Sequence, residues 1–178
     1  STFLDIGANF GGFSFAVAQV LNARGGTVHA FEAQRIIAYM LCGTVALNSL
    51  ENLHVHHLAV GDKEGEIDIP AFNYRQTASF GSIEFGGEQK EFIGQPRQAP
   101  SGDKVVCRRV DNLGLKAVNL VKIDVEGMEE AVLRGASETL VRDKPWALVE
   151  WIKSDRAALA GFFERIGYRV FRMGGNLL

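Results

Sequence analysis

A chain that opens Phe3-Leu4-Asp5-Ile6-Gly7-Ala8-Asn9-Phe10-Gly11-Gly12 has few ways to fold. A short apolar run ends in a carboxylate, breaks into a glycine-rich turn and enters a stretch where Phe13, Val17, Val20 and Leu21 recur at helical spacing. Strand, tight loop and helix, in that order, make the first half of a β-α unit. Glycine in such a loop lets the backbone turn sharply and approach a ligand closely.

The alternation continues. Residues 27–31 read as a second strand, and Ile37, Leu41, Thr44, Val45 and Asn48 trace one face of a second helix. Residues 54–60 and 66–69 predict two more strands, the latter closed by Pro70. Residues 71–104 break the rhythm: rich in Gly, Gln and Ser, they hold Pro96 and Pro100 and keep neither period. Strands are then predicted at 105–110, 120–124, 146–150 and 168–172. Between them lie helix stripes at Met128, Val132, Ala136 and Leu140, and at Leu159, Phe162, Phe163 and Ile166 behind an N-cap at Ser154-Asp155. Repeated β-α units predict an α/β fold, a Rossmann-like, doubly wound, mostly parallel sheet with ligands at the carboxyl ends of its strands.

Size and charge narrow the classes. A chain of 178 residues, 47% apolar and 22% charged, holds a single domain, 1–178, with one long irregular insertion at 71–104. A net charge of −2 supplies no positive field for nucleic acid, and no apolar run is long enough to span a bilayer. Cys42 and Cys107 read as isolated core thiols, which favours a reducing, cytoplasmic setting. The abrupt start at Ser1 reads as a fragment of a longer chain.

The loop spacing carries the first chemical argument. A dinucleotide fingerprint is G-x-G-x-x-G, whereas Gly7, Gly11 and Gly12 give G-x-x-x-G-G. Asp5 at the strand end would repel a pyrophosphate but accept hydrogen bonds from an ammonium. S-adenosylmethionine carries an amino group and a sulfonium cation, so it suits this loop better than a dinucleotide. Glu32 follows the second strand after Phe31, about 25 residues beyond the loop, near the spacing at which a carboxylate meets both hydroxyls of a ribose.

Residues 121–129, Val121-Lys122-Ile123-Asp124-Val125-Glu126-Gly127-Met128-Glu129, form the second anchor. Asp124 ends a buried strand at the cleft mouth, Glu126 follows, and Glu150 ends the neighbouring strand. Such carboxylates can orient a donor, take a proton from an acceptor hydroxyl, or recruit a cation. His54, His56 and His57 do not read as a metal site: the first two share one strand face, the third takes the other, and no Cys or acidic partner stands at zinc spacing. No metal is expected. Phe72, Tyr74, Phe80, Phe85 and Phe92 in the irregular stretch predict a lid over an acceptor or packing at the domain edge.

Asp5-Ile6-Gly7-Ala8-Asn9-Phe10-Gly11, Phe31-Glu32, Lys122 to Glu129, Leu133-Arg134-Gly135-Ala136 and Leu148-Val149-Glu150 together resemble the FkbM-type S-adenosylmethionine-dependent methyltransferases. The resemblance covers nearly the whole chain apart from the long stretch. It implies methyl transfer onto a hydroxyl of a sugar or secondary metabolite. In that reading Asp5, Gly7 and Asn9 line the methionine part of the donor, Glu32 the ribose, and Val60, Gly61 and Asp62 the adenine edge, with Ala8, Gly11 and Phe31 completing the cofactor-binding set. Asp124, Glu126 and Glu150 are the catalytic candidates. Relatives continue into a final antiparallel strand, expected to be missing here. Two other readings remain: an NAD-dependent oxidoreductase, or a non-catalytic donor-binding module.

Overall fold

Along the chain run β1 (Thr2–Ile6), α1 (Gly12–Asn22), β2 (Thr27–Phe31), α2 (Arg35–Leu47), β3 (Leu53–His56), β4 (Ala59–Val60), β5 (Gly65–Pro70), β6 (Pro100–Arg108), β7 (Val118–Ile123), α3 (Glu129–Gly135), α4 (Ser137–Asp143), β8 (Trp146–Val149) and α5 (Arg156–Arg165). They come from a computed structural model that describes residues 1–82, 92–94 and 100–174. Five strands pair in the order β3-β2-β1-β7-β8, and every pairing is parallel. The chain winds outward from β1 to β3, then restarts at β7, so strand order reverses between β1 and β7. Ligands of open α/β sheets bind at that switch point.

Side-chain alternation along the strands builds a core on each face. Phe3 of β1 joins Val28, Ala30, Ala18 and Leu41 on the side of α1 and α2. Leu4 and Ile6 join Val121, Ile123, Val132, Leu133, Leu140, Leu159 and Phe163 on the side of α3, α4 and α5. Full burial of each such side chain contributes ~1.5–3 kcal/mol. Among the described residues no helix is long and apolar enough to cross a membrane.

Several local expectations are corrected. In α1 the buried positions are Ser14 and Ala18, while Phe13 and Val20 are 50% and 62% exposed. Val17 and Leu21 of the expected stripe do pack on the core beside Ala18, and on the same face the Ser14 hydroxyl donates to Asp5 at 2.6 Å. The strand expected over 54–60 divides, because a turn that closes with Leu58 N donating to His56 O sends β4 into a second sheet. That sheet has the order β4-β6-β5, with β6 parallel to β4 and antiparallel to β5. β6 starts at Pro100, inside the stretch expected to be irregular, and ends at Arg108, where residues 110–112 form a 3₁₀ turn. The helix expected over 128–140 breaks at Ala136 into α3 and α4.

The N-cap of α5 is Asp155, whose carboxylate accepts from Ala157 N and Ala158 N. Residues 168–172 form no strand. Instead the Tyr168 hydroxyl donates to Leu140 O at 3.1 Å, and Tyr168 and Val170 pack on the core. Phe85, Pro96 and residues 175–178 lie outside the described residues.

Candidate functional site

The carboxyl ends of β1, β2, β4 and β7 converge on one narrow cleft of about 50 Å3. Gly7 and Asn9 line it from the first loop, Phe31 and Glu32 from β2, Val60 from β4, and Asp124, Glu126 and Met128 from the segment after β7. Sequence positions as far apart as Gly7 and Met128 meet there because parallel strands all deliver their last residues to the same rim.

The first loop is held by the sheet. Gly7 N and Ala8 N both donate to Phe31 O, at 3.0 and 2.9 Å. Gly7 has φ +81°, and a Cβ on it would fall 1.8 Å from Asp124 O, so both conformation and space require glycine. Asn9 follows in the left-handed region at φ 50°, which asparagine tolerates better than most residues. Its Oδ1 is buried without a hydrogen-bond partner. Gly11 caps α1 and packs on Leu41.

Glu32 is buried and receives two backbone donors, Asn9 N at 2.9 Å and Gln34 N at 2.8 Å, one on each oxygen. Burial pushes its pKa up, and the two N–H groups oppose that rise. Each oxygen keeps a lone pair for a further donor, so the carboxylate can take a vicinal diol.

Asp5 does not reach the cleft. It is fully buried beneath it, and burial pushes its pKa up against the opposing pull of Lys122 and Ser14. Lys122 faces Asp5 across the β1–β7 ladder. Its ammonium lies 3.3 Å from Asp5 Oδ1 and 3.2 Å from Asp124 Oδ2, and donates to Gly7 O at 3.1 Å. The sequence reading assigned Lys122 no role. The available signal was spacing: two residues before Asp124, it shares a strand face with the residue that leads into the cleft.

Three carboxylates crowd the rim. Oxygens of Asp124, Glu126 and Glu150 all lie within 4.8 Å of one another. Glu150 is brought in by Glu150 N donating to Ile123 O at 2.9 Å. Burial, then Asp124, Glu126 and Glu129, push the Glu150 pKa up to about 7. Glu126 is also raised, chiefly by burial, although Lys153 Nζ sits 2.8 Å away. The three carboxylates therefore already hold two ammonium counterions, Lys122 and Lys153, which lessens the pull on a metal ion. Behind them the buried Glu129 accepts from Val125 N, Gly127 N and the Ser154 hydroxyl, which fixes the turn that presents Glu126 at φ 55°.

Beyond Val60, Gly61 and Asp62 turn away from the cleft. Gly61 N donates to Arg108 O, and the Asp62 carboxylate accepts from Arg134 Nε at 2.9 Å. A Cβ on Gly135 would fall 1.9 Å from Gly61 O, so α3 packs directly against this turn. Sequence reasoning also missed Leu58, Ile67 and Gly81, which line the cleft from the second sheet and from the 80–82 turn. Gly81 presses on Asn9: a Cβ there would fall 2.4 Å from Asn9 Nδ2. Of the aromatics in the long stretch, Phe72 and Tyr74 sit beside Arg35, with the Tyr74 hydroxyl donating to Oε1 of the cleft-lining Gln34 at 3.3 Å, and Phe92 is 83% exposed. A larger apolar groove of about 570 Å3 runs along β8, but it lacks the convergent carboxylates.

Comparison with known proteins agrees with this architecture. The methyltransferase FkbM from Methylobacillus flagellatus KT superposes with a TM-score of 0.60 at 17% identity, over 93% of this chain and 36% of that one. The chain thus spans about a third of that protein's length. A SAM-dependent methyltransferase from Aquifex aeolicus gives 0.50 at 15% identity, over 99% of this chain and 78% of that one. No curated protein matches the chain in sequence. The family model "Methyltransferase FkbM domain" matches residues 5–170, from the buried Asp5 through the rim carboxylates and beyond, and the chain belongs to that family.

Proposed function

We propose that this chain carries the donor site and the reaction centre of an S-adenosylmethionine-dependent methyltransferase acting on a hydroxyl oxygen of a sugar-like or other small hydroxylated metabolite. One observation carries the reading: Glu32 and Asn9, suited to a nucleoside, share a cleft with Asp124, beside a Glu150 that titrates near neutrality. The donor set fits the cofactor. Glu32 offers two acceptors to a ribose, Asn9 offers a buried free Oδ1, Val60 and Met128 offer apolar walls, and Asp124 offers negative charge to a cation. Gly61 and Asp62 would shape the adenine edge from behind, Ala8 and Gly11 would hold the loop, and Asp5 would act through Lys122.

The cofactor supplies an electrophilic methyl group, so the protein's work is alignment and proton removal. Glu150 in its ionised form would take the hydroxyl proton as the methyl group passes to the acceptor oxygen and its bond to sulfur breaks to leave a neutral thioether, with burial and then Asp124 and Glu126 keeping the basicity of Glu150 near neutrality. The negative rim favours neutral acceptors over phosphorylated ones. With about 50 Å3 in the cleft, the 80–82 turn must move off Asn9 for a nucleoside to enter.

Titration with S-adenosylhomocysteine in a calorimeter, followed by mass spectrometry of a neutral polyol panel with labelled donor, tests the proposal. Micromolar binding and a labelled ether product are expected. Absence of binding overturns the donor site, and binding without any product across the panel leaves a donor-binding module.

A further inference from the structure

The parallel register of β2 and β3 sets His29 opposite His54 and Phe31 opposite His56. Their rings form one continuous stack across the two strands: Phe31 on His56 at 4.7 Å between centroids, His56 on His29 at 5.2 Å, and His29 on His54 at 5.1 Å, with neighbouring planes within 25°. Inside the stack His29 Nδ1 and His56 Nε2 approach to 3.0 Å. The stack runs outward from Phe31, which also lines the cleft, to His54 on the edge strand β3, and none of its histidines lines the cleft.

We propose that His29 and His56, joined by His54, form a binding site for a divalent transition metal of the zinc, nickel or copper type. Two imidazole nitrogens bound side by side to one ion, with ~2.0–2.1 Å bonds, stand ~2.9–3.4 Å apart. The pair is already at that separation; a pivot of the two rings, with the shared proton moving to the other nitrogen of its own ring, would turn both lone pairs onto one ion. His54 is exposed on the edge strand and can turn its ring toward the pair. In the sequence His54, His56 and His57 split between two strand faces with no Cys or acidic partner at zinc spacing. The structure replaces His57, which bonds Ala33 O, with His29 from the neighbouring strand.

Ligand chemistry makes this site separable from the acidic rim. Imidazole selects zinc, nickel and copper, whereas carboxylates favour magnesium, calcium and manganese. Bound metal would tie the edge strand to β2, the strand that ends at Glu32, and so raise the unfolding temperature in a concentration-dependent way.

The test uses the untagged chain. Calorimetry with zinc and nickel chloride should give one site, and thermal unfolding should shift upward with these ions and not with magnesium. His29→Phe and His56→Phe should each weaken binding by ~10-fold or more, while His57→Ala and Glu150→Gln should leave it unchanged. Should a variant fail to fold, imidazole NMR signals of the wild-type chain decide: nickel should broaden those of His29, His54 and His56 before that of His57. Equal affinity in the phenylalanine variants, an equal response to magnesium, or uniform broadening overturns the site.

Discussion

Lys122 joins two carboxylates of different character: its ammonium sits 3.3 Å from the wholly buried Asp5 and 3.2 Å from the cleft-facing Asp124. A charge removed from water is stable only with its partner. Lys122→Met should therefore cost ~3–5 kcal/mol in urea unfolding, because it strands Asp5. Adding Asp5→Asn to that variant should recover a large part of the loss. Equal stability of the single and double variants would show that the pair is not coupled.

Glu32 should control the donor without carrying chemistry. Glu32→Gln keeps the shape but gives up a charged acceptor and sets an amide N–H against one of the two backbone donors. Loss of a hydrogen bond to a charged group is worth ~1.5–3 kcal/mol, or about a tenfold to hundredfold weaker binding. Calorimetry with S-adenosylhomocysteine measures it directly, and undiminished affinity would remove Glu32 from the donor site.

The pH dependence follows from Glu150. With its pKa at about 7, the ionised base accumulates as pH rises, so turnover should climb from pH 5 to about 7 and level off above. Glu150→Gln should abolish the climb along with most of the rate. Stability runs the opposite way. A raised carboxyl pKa favours the folded state fully below its ordinary 4.5, and that contribution fades as pH rises toward 7. The glutamine variant should lack this fade in a series of unfolding midpoints.

Gly135 lies outside the cleft yet should affect it. Gly135→Ala drives a methyl group into Gly61 O, at 1.9 Å before relaxation. Overpacking of this kind costs ~1–3 kcal/mol. Because Gly61 follows Val60, a cleft wall, donor affinity should fall together with the unfolding midpoint. A variant that is destabilised but binds normally would uncouple α3 from the Val60 wall of the cleft.

Much of this was legible in the chain because parallel α/β folds write themselves in alternating periods. The Gly7 loop, Glu32 and the Asp124 segment each follow an apolar strand, and strand ends converge on one rim. The errors have physical causes. Of the α1 stripe, Val17 and Leu21 pack on the core, while Phe13 and Val20 stay exposed because 100° per residue carries them off the face shared by Ser14 and Ala18. Residues 54–60 were read as one strand because Ala59 and Val60 are as apolar as a continuation would be, although they pair with a different sheet. Asp5 looked like a ligand contact because its buried counterion, Lys122, comes from a strand 117 residues further along the chain. The stack of His29 on His56 depends on interstrand register, which no local window reveals.

The seam between the two sheets has one more consequence. Glu32 belongs to a ladder of five strands and Val60 to a ladder of three. The cleft's opposite walls thus ride on separate hydrogen-bonded frames, and its width can change without breaking any rung in either. The second frame is seated on α3 where Gly135 leaves no room for even a Cβ against Gly61 O, so that single close approach sets how near the Val60 wall stands to the helix.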